Sequence, residues 1–209
     1  MWRSWKRHTA ANTRCTGMLE HTSNNAVTTY QRCPRKLRYS HIQRRVSVRK
    51  RPALELGTAY HDGAEQWDTK GVIAEPAGAE WPTRQGYALA KRYAEIDPLR
   101  DTTILAYERE WSLPMPGLPP AVGRLDAAAR IDGEVWLVEH KTASSLSAND
   151  DYIRMMSPQA MLYMCAARAG AILPILTHAV GVLYLTMVKS GTKRRMATDP
   201  DKRYKKDGS

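Results

Sequence analysis

The sequence predicts an α/β or α+β domain built on a mixed β-sheet. Apolar residues follow a helical period through roughly the first hundred residues, and the pattern changes to that of strands from Ile104 onward. One further helical stretch separates the last strand from the others, so that strand is free to pair in parallel. With 209 residues, the chain has room for one ordinary domain with a sizeable core.

The first half of the chain contains most of the predicted helices. Ser23 is a suitable N-cap, and Pro34 fits the first turn of a continuing helix. Asp97-Pro98 ends the last of these helices. The predicted order is a helix from Ser23, a continuation from Pro34, a basic connection over 44–52, a helix over 52–71, a loop over 71–81 and a helix over 82–96.

The second half contains the predicted strands. Asp132-Gly133 has the residues of a tight hairpin turn, so the segments on either side are predicted to pair as antiparallel strands. Ser157-Pro158 is typical of a helix start. The predicted elements are a strand over 104–113, a Pro/Gly-rich loop over 114–120, strands over 121–131 and 134–141, a helix from Ser157 to about Ala169 and a last strand over 178–188.

Positive charge is concentrated at the two ends of the chain. The formal net charge of +11 divides into +12 over residues 1–51, −6 over 52–188 and +5 over 189–209. We expect residues 1–22 and 189–209 to be basic, flexible segments flanking a domain over 23–188. An excess of positive charge suggests a polyanionic partner such as nucleic acid. Bases and aromatics interleave where a phosphate-binding surface is expected: Arg35, Lys36, Arg38 and Tyr39.

Composition argues against membrane and disulfide-stapled classes. No apolar run approaches the roughly 20 residues that span a bilayer, and the best stretch, 166–173, is interrupted by Arg168 and Gly170. The N-terminus has charge but no apolar segment, so no signal peptide is expected. Three scattered cysteines form neither a disulfide framework nor a CxxC zinc site. A cytoplasmic location is therefore expected.

Two carboxylates and a lysine are predicted to meet on the hairpin. Centring its turn places Asp126 opposite Glu139 to within one residue. Because side chains alternate along a strand, Glu139 and Lys141 point to one face and His140 to the other. Two carboxylates about 4 Å apart repel by about 4 kcal/mol at an effective dielectric of about 20. A divalent cation such as Mg²⁺ would relieve this repulsion, whereas an ordinary ion pair of Lys141 with either carboxylate is the structural alternative.

Five short motifs stand in order along the chain: SNNAVTTYQRCPRKLRY from Ser23, Gly57-xxx-His61, Gly123-xx-Asp126, Glu139-His140-Lys141 and Gln159-xxx-Tyr163. Their order and spacing over about residues 23–188 resemble the PD-(D/E)XK nuclease superfamily. Their neighbouring residues resemble its RecB-like exonuclease branch, which includes CRISPR-associated and phage-encoded relatives. The resemblance implies a restriction-endonuclease-like core, with a mixed central sheet flanked by helices and an N-terminal helical segment.

The resemblance also implies a metal site. His61, Asp126 and Glu139 would be side-chain ligands of Mg²⁺ or Mn²⁺, and the main-chain carbonyl of His140 would complete the protein's share. Taken by itself, His61 would ordinarily be a partly buried structural histidine, and only the set of five motifs makes it a metal ligand. Glu108, in the preceding strand, is either a supporting or second-metal carboxylate or a solvated strand residue.

The same resemblance makes Lys141 the catalytic lysine. Gln159 and Tyr163 are four residues apart and therefore share one face of a helix. Similarity implies that both orient the lysine or contact the DNA backbone. Taken by itself, Tyr163 reads equally as a core aromatic beside Leu162 and Ala166.

Cysteine usage predicts that this chain forms no iron–sulfur cluster. Cys33 corresponds to the first cysteine of the cluster in cluster-bearing relatives, where three more follow near the C-terminus. No cysteine follows Cys165 in this sequence, and a four-iron cluster takes four thiolates. Unless a longer parent chain supplies the others, Cys33 is expected to be a small buried hydrophobe.

These expectations describe a Mg²⁺- or Mn²⁺-dependent DNA exonuclease that acts on ends or single strands by metal-assisted hydrolysis. Phage recombination, CRISPR adaptation and DNA repair all use this branch. The alternatives are a structure-specific endonuclease of the same superfamily, a catalytically silent DNA-binding or recombination module, and a basic RNA-binding protein with coincidental motifs. The sequence predicts neither strand polarity nor oligomeric state.

Overall fold

The computed structural model describes residues 5–7, 19–47, 51–147, 149, 153–154 and 156–189. The helices are α1 (Asn24–Arg32), α2 (Pro34–Leu37), α3 (Pro52–Lys70), α4 (Trp81–Ile96) and α5 (Pro158–Arg168), with a π-helical turn at Arg38–Ile42 and a 3₁₀ turn at Pro174–His178. The strands are β1 (Trp5–Arg7), β2 (Arg45–Ser47), β3 (Thr103–Met115), β4 (Leu118–Ile131), β5 (Glu134–Ala143) and β6 (Gly181–Val188).

Four of the strands form a mixed sheet in the order β3-β4-β5-β6. The pairs β3–β4 and β4–β5 are antiparallel, whereas β6 runs parallel to β5. A parallel pair needs a crossover connection, and the segment containing α5 supplies it. The predicted α+β class with a mixed sheet is confirmed. Strands β1 and β2 pair separately as a small antiparallel ribbon.

Each face of the sheet is covered by helices. On one face, Leu125 and Leu137 pack with Tyr163 of α5 and Leu176 of the 3₁₀ turn. On the other face, α3 and α4 form a helical hairpin whose core reaches β6. Val138 follows Leu137 in sequence, but its side chain packs on that second face. The alternation of side chains along β5 therefore divides the core into two layers.

Glycine allows α3 and α4 to approach closely. A Cβ atom at Gly86 would lie 2.5 Å from the main-chain oxygen of Leu56 and 2.6 Å from Cβ of Ala59. A Cβ at Gly63 would lie 2.5 Å from Cβ of Ala90. Because no other residue fits at these separations, the two glycines determine how α3 packs, and with it the position of the helix that carries His61.

The N-terminal helix is tied to the sheet beyond the end of the β4–β5 ladder. The N–H of Thr22 donates to the carbonyl of Pro120, and the N–H of Val122 donates to the carbonyl of Thr22, both at 2.8 Å. This short parallel bridge occupies the side of β4 that β5 leaves free. As a result α1 begins next to α5, where Asn24 Nδ2 lies 3.4 Å from Gln159 Oε1.

The predicted loop over 114–120 is wrong. Strand β3 continues to Met115 and β4 begins at Leu118, so the turn is only Pro116-Gly117, with Gly117 at φ 73°. The register shifts between Leu113 and Met115, opposite Pro119 and Pro120. Prolines lack the N–H that a regular ladder requires, and a bulge accommodates them.

Two smaller differences concern connections. The predicted basic connection over 44–52 contains β2, and residues 48–50 lie outside the described part of the chain. The last strand begins at Gly181, because 174–178 forms the 3₁₀ turn. Most of the two predicted flexible ends also lies outside the described residues. In the described part of the chain, no helix is both long and apolar enough to cross a membrane.

The expectation that Cys33 is buried is wrong, since its side chain is exposed. Cys33 lies at the break between α1 and α2, with an extended backbone at φ −167° and ψ 104°. The residue before a proline is disfavoured in the helical region, so Pro34 imposes this break. The extended link projects residue 33 away from both helices.

Candidate active site

A cavity of about 730 Å³ opens between α3, the two strands β3 and β4, and α5. Its polar lining includes five of the residues singled out from the sequence, together with Arg124: His61, Glu108, Asp126, Gln159 and Tyr163. Three of the five motifs, which lie about a hundred residues apart in sequence, therefore meet on one concave surface, and Glu139 and Lys141 adjoin it through hydrogen bonds to Gln159.

The predicted hairpin register is confirmed. Ala127 pairs with Val138, and the ladder continues to Ile131 opposite Glu134. Asp126 lies one step beyond the last of these pairs, where its Oδ2 accepts a hydrogen bond of 2.8 Å from the N–H of His140. The Asp126 carboxylate therefore takes the place of a main-chain acceptor and is held against β5.

Three ligand atoms converge in the cavity. One from each of His61, Glu108 and Asp126 lies within 4.8 Å of the others, and His61 Nδ1 is 3.5 Å from Asp126 Oδ2. Each residue comes from a different element: α3, β3 and β4. One imidazole and two carboxylates suit a divalent cation such as Mg²⁺ or Mn²⁺, so the donor set fits the implied metal.

Glu108 reaches this group through an unusual backbone conformation. It lies in the middle of β3 at φ 45°, and its pair with Asp126 is missing from an otherwise continuous stretch of ladder. A positive φ is uncommon for residues other than glycine, and such strain tends to cluster at functional sites. The side chain is only 17 % exposed, so the solvated alternative for Glu108 is wrong.

Glu139 is held from three sides. Tyr163 Oη donates to its Oε2 at 2.9 Å, Gln159 Nε2 donates to its Oε1 at 2.7 Å, and Lys141 Nζ pairs with the same Oε1. Lys141 also donates to Gln159 Oε1 at 2.9 Å. The predicted proximity of Gln159, Tyr163 and the lysine is therefore observed. The ion pair considered as an alternative is present too, but within one strand.

The two central carboxylates have pKa values shifted in opposite directions. Burial and the charge of Asp126 raise the pKa of Glu139, although Lys141 acts against this shift. Burial alone would raise the pKa of Asp126, but hydrogen bonds from His61 and the N–H of His140 outweigh it and lower the pKa. Asp126 is thus the group that carries negative charge most readily, which favours a cation beside it.

His61 shows the complementary shift. Burial lowers its pKa, but the hydrogen bond and charge of Asp126 outweigh that effect, so the pKa of His61 is raised. A histidine ligates a metal only as the neutral imidazole. A cation entering the site would therefore replace a proton that the carboxylates now favour on His61.

The ring of His140 lies on the opposite face of β5, as the alternation predicts. It is 1 % exposed and surrounded by hydroxyls: Tyr60 Oη is 3.2 Å from Nδ1, and Tyr107 Oη is 3.5 Å from Nε2. Asp68 accepts hydrogen bonds from Tyr107 at 2.8 Å and from Tyr93 at 3.0 Å. Burial lowers the pKa of His140 to about 4. This cluster, which the sequence did not reveal, fixes β5 directly behind the cavity.

Asp68 makes stability depend on pH. Burial raises its pKa from 3.8 to about 6, against the hydrogen bonds from the tyrosines. The folded state therefore binds this proton more tightly than the unfolded state, and the resulting stability is present below pH 4 and lost as pH rises through 6. A shift of about two units corresponds to about 3 kcal/mol. We expect the free energy of unfolding of the wild type, minus that of Asp68→Asn, to fall by about this amount between pH 4 and 7.

Chemical denaturation at several pH values measures this difference. Asp101→Asn, which removes an exposed carboxylate, is the control. A difference between wild type and Asp68→Asn that stays constant over this range would contradict the raised pKa.

The predicted phosphate-binding residues form an exposed surface on α2 and the π-helical turn. The guanidinium groups of Arg35 and Arg45 lie 5.6 and 4.8 Å from the centroid of the Tyr39 ring, and Arg35 Nε is 3.3 Å from Tyr39 Oη. Lys36 and Arg38 are exposed on the same segment. Arg45 is an addition that the sequence reasoning did not single out.

Arg124 is a pocket residue that the sequence motifs did not single out, like Asp62 and Glu65. Its Nε lies 2.5 Å from Glu108 Oε2, and its main-chain carbonyl oxygen lies 2.8 Å from Tyr163 Oη, as an alternative to Glu139 for the one hydroxyl hydrogen. The available signal was its position two residues before Asp126, which places both near one side of β4. Asn24, next to Gln159, had no comparable signal.

The sequence matches the family model of the PD-(D/E)XK nuclease superfamily over residues 21–207, so the chain belongs to this superfamily. The superfamily assignment and the restriction-endonuclease-like core are thereby confirmed. Members are metal-dependent nucleases, which implies phosphodiester hydrolysis on nucleic acid with a divalent cation. The search of curated proteins found no match. Membership of the RecB-like branch stays a prediction.

Proposed function

We propose that this chain is a Mg²⁺- or Mn²⁺-dependent DNA exonuclease that hydrolyses phosphodiester bonds with water as the nucleophile. The observation that carries the proposal is the convergence of His61, Glu108 and Asp126 in one open cavity, whose lining residue Gln159 accepts a hydrogen bond from Lys141. A catalytically silent module would have no need of a strained backbone at Glu108 that brings its carboxylate within 4.8 Å of the ligand atoms of His61 and Asp126.

The residues divide into two sets. His61, Glu108 and Asp126 would hold the cation, with Glu139 and the main-chain carbonyl of His140 as the further ligands that the family resemblance implies. The bound cation supplies Lewis acidity and lowers the pKa of water. Asp126 supplies negative charge to the metal ligands, and its 3.5 Å contact with His61 Nδ1 keeps these two ligands close together. The tyrosine cluster behind His140 holds the main chain of His140 in place.

Lys141 acts on the reacting groups. Its ammonium is oriented by Glu139 and by Gln159, whose amide also contacts Tyr163. From this position it would hydrogen-bond the attacking water or the phosphate oxygens and offset the negative charge that develops there. No covalent intermediate on the protein is needed, because water attacks the phosphorus directly.

The preference for exonuclease action rests on the resemblance to the RecB-like branch. A structure-specific endonuclease of the same superfamily would use the same residues. The two differ in whether a DNA end is required, so the substrate rather than the site distinguishes them. We also propose that DNA is the substrate and that the protein works in the cytoplasm.

Degradation assays on matched linear and covalently closed circular DNA, each single- and double-stranded, test the proposal. We expect degradation of linear DNA in Mg²⁺ or Mn²⁺ and none in EDTA. Cleavage of closed circles at a comparable rate would establish the endonuclease instead. Retention of DNA binding with no cleavage in any metal would favour the silent module.

Neutralising the basic surface is expected to weaken DNA binding. Each lost phosphate contact lowers the slope of log K against log salt by about 0.9 on duplex DNA. The triple variant Arg35→Gln, Lys36→Gln, Arg38→Gln should therefore flatten this slope by up to about 3. Fluorescence anisotropy over a salt series measures it.

The matched control removes three exposed bases from other elements of the fold: Lys70→Gln, Arg100→Gln and Arg130→Gln. Both triple variants lose the same formal charge. Equal slopes for the two variants would show that the segment around Tyr39 does not contact phosphates.

A further inference from the structure

Building on the proposed function, we propose that Arg124 exchanges partners when a divalent cation binds. Without the cation, its guanidinium neutralises Glu108. With the cation at His61, Glu108 and Asp126, the guanidinium is released from Glu108 and binds a phosphate of the nucleic acid strand.

Arg124 contacts one of the three residues that could hold the cation. Its Nε is 2.5 Å from Oε2 of Glu108, the carboxylate that also belongs to the ligand group with His61 and Asp126. One carboxylate thus faces two positive partners: the guanidinium and the site a cation would take. Since two cations beside one carboxylate repel each other, binding of the metal weakens the hold of Glu108 on Arg124.

Arg124 combines a fixed main chain with a side chain that is free to turn. The main chain of Arg124 is fixed in β4, where it pairs with Glu110 of β3, and its carbonyl oxygen lies 2.8 Å from Tyr163 Oη. Its side chain is 59 % exposed and lines the cavity. The guanidinium can therefore turn towards the open cavity without any change in the backbone.

The lining of the cavity is mostly acidic. Among the described residues that line it, Arg124 is the one lysine or arginine, whereas four are acidic: Asp62, Glu65, Glu108 and Asp126. Lys141 adjoins this lining at Gln159 without being part of it, and Glu139 offsets part of its charge, so a second cationic group would help to hold the strand. A phosphate entering this acidic pocket needs a cationic group, and a planar guanidinium is suited to bind two phosphate oxygens at once.

The exchange predicts opposite effects of Arg124→Gln on two ligands. Without nucleic acid, the variant should bind Mn²⁺ more tightly than the wild type, because Glu108 loses its competing partner. In the presence of Ca²⁺, it should bind a short oligonucleotide more weakly. Coupling between sites typically amounts to about 5-fold to 150-fold, and we expect both changes within that range.

Calorimetric titration with Mn²⁺ and fluorescence anisotropy with an oligonucleotide measure the two affinities. All anisotropy samples carry Lys141→Ala, so that the strand stays intact, and are compared in Ca²⁺ and in EDTA. Arg124→Lys retains the charge and should recover part of the affinity for the oligonucleotide. Circular dichroism and thermal unfolding verify that each variant is folded.

A double-mutant cycle assigns the effect to Glu108. If Arg124 acts on the metal through this carboxylate, Arg124→Gln should not change Mn²⁺ affinity when Glu108→Gln is already present. Equal Mn²⁺ affinity of wild type and Arg124→Gln would overturn the exchange, as would equal oligonucleotide affinity in Ca²⁺. In both cases the nuclease proposal survives if wild type still degrades DNA with metal. A wild type that binds no Mn²⁺ would overturn both proposals.

Discussion

Replacing Lys141 with alanine is expected to lower the rate of DNA hydrolysis by a factor of about 10²–10⁴, the range typical for loss of a positioned acid–base or charge-stabilising group. Lys141 Nζ contacts both Glu139 and Gln159, so the ammonium is held at the edge of the ligand group. Without it, the substrate phosphate loses the group that offsets its developing charge. Initial rates on linear DNA at saturating metal measure the effect.

A second consequence of Lys141→Ala concerns Glu139. Its side chain is only 2 % exposed, and Lys141 is the cation that holds down its raised pKa. In the variant, the pKa of Glu139 should therefore rise further, so that a larger fraction of Glu139 is protonated at a given pH. Lys141→Arg restores the positive charge beside Glu139 but not the shape of the ammonium. Its rate should therefore lie between those of wild type and Lys141→Ala, and the difference from Lys141→Ala measures the effect of charge alone.

Lys91→Ala is the matched control. Lys91 is a half-exposed lysine of α4 that pairs with Glu75, and it does not line the cavity. This variant should leave the rate unchanged. DNA binding in Ca²⁺ should differ little between the two alanine variants. Undiminished hydrolysis by Lys141→Ala would remove Lys141 from the reaction and leave the metal ligands as the whole of the machinery.

Gly86→Ala is expected to lower the free energy of unfolding by about 1–3 kcal/mol, the usual cost of overpacking a dense core. The added Cβ would lie 2.5 Å from the main-chain oxygen of Leu56 and 2.9 Å from the main-chain nitrogen of Tyr60. Both contacts are backbone atoms of α3, which can yield only if the two helices separate. This loss should exceed the gain of about 1 kcal/mol that alanine brings to a helix.

Gly57→Ala provides the matched control in α3. No heavy atom lies within 4 Å of a Cβ built there, so only the gain in helix propensity remains, and we expect stability to rise by up to about 1 kcal/mol. Urea denaturation of both variants gives the comparison. If Gly86→Ala were as stable as Gly57→Ala, the close packing of α3 on α4 described above would be wrong.

The sequence allowed the main features of the fold and site to be predicted where they depend on local spacing. The residues of the Asp132-Gly133 turn were enough to obtain the register of β4 and β5. Alternation was enough to place Glu139 and His140 on opposite faces of the sheet. Pro116-Gly117 misled the prediction, because three further prolines suggested a loop where a bulge keeps the strands paired.

Contacts between distant segments could not be obtained in this way. Whether Glu108 was solvated or part of the site depended on a positive φ in β3, for which the sequence contains no signal. The buried cluster of Asp68 with Tyr93, Tyr107 and His140 joins α3, α4, β3 and β5, and nothing in the spacing of these residues associates them.

By itself, then, the sequence determined the class of protein, the mixed sheet and the chemistry available at Asp126, Glu139 and Lys141. These follow from residue types and from the periods of helix and strand, which are properties of the local backbone. Only the tertiary structure decided that Glu108 joins the ligand group and that Arg124 pairs with it. Those depend on how a helical hairpin, two strands and a crossover helix pack together, and packing is a property of shapes that meet across the whole chain. The acidic centre seen in the charge distribution is, in three dimensions, a cavity with a single arginine at its edge among the described lining residues.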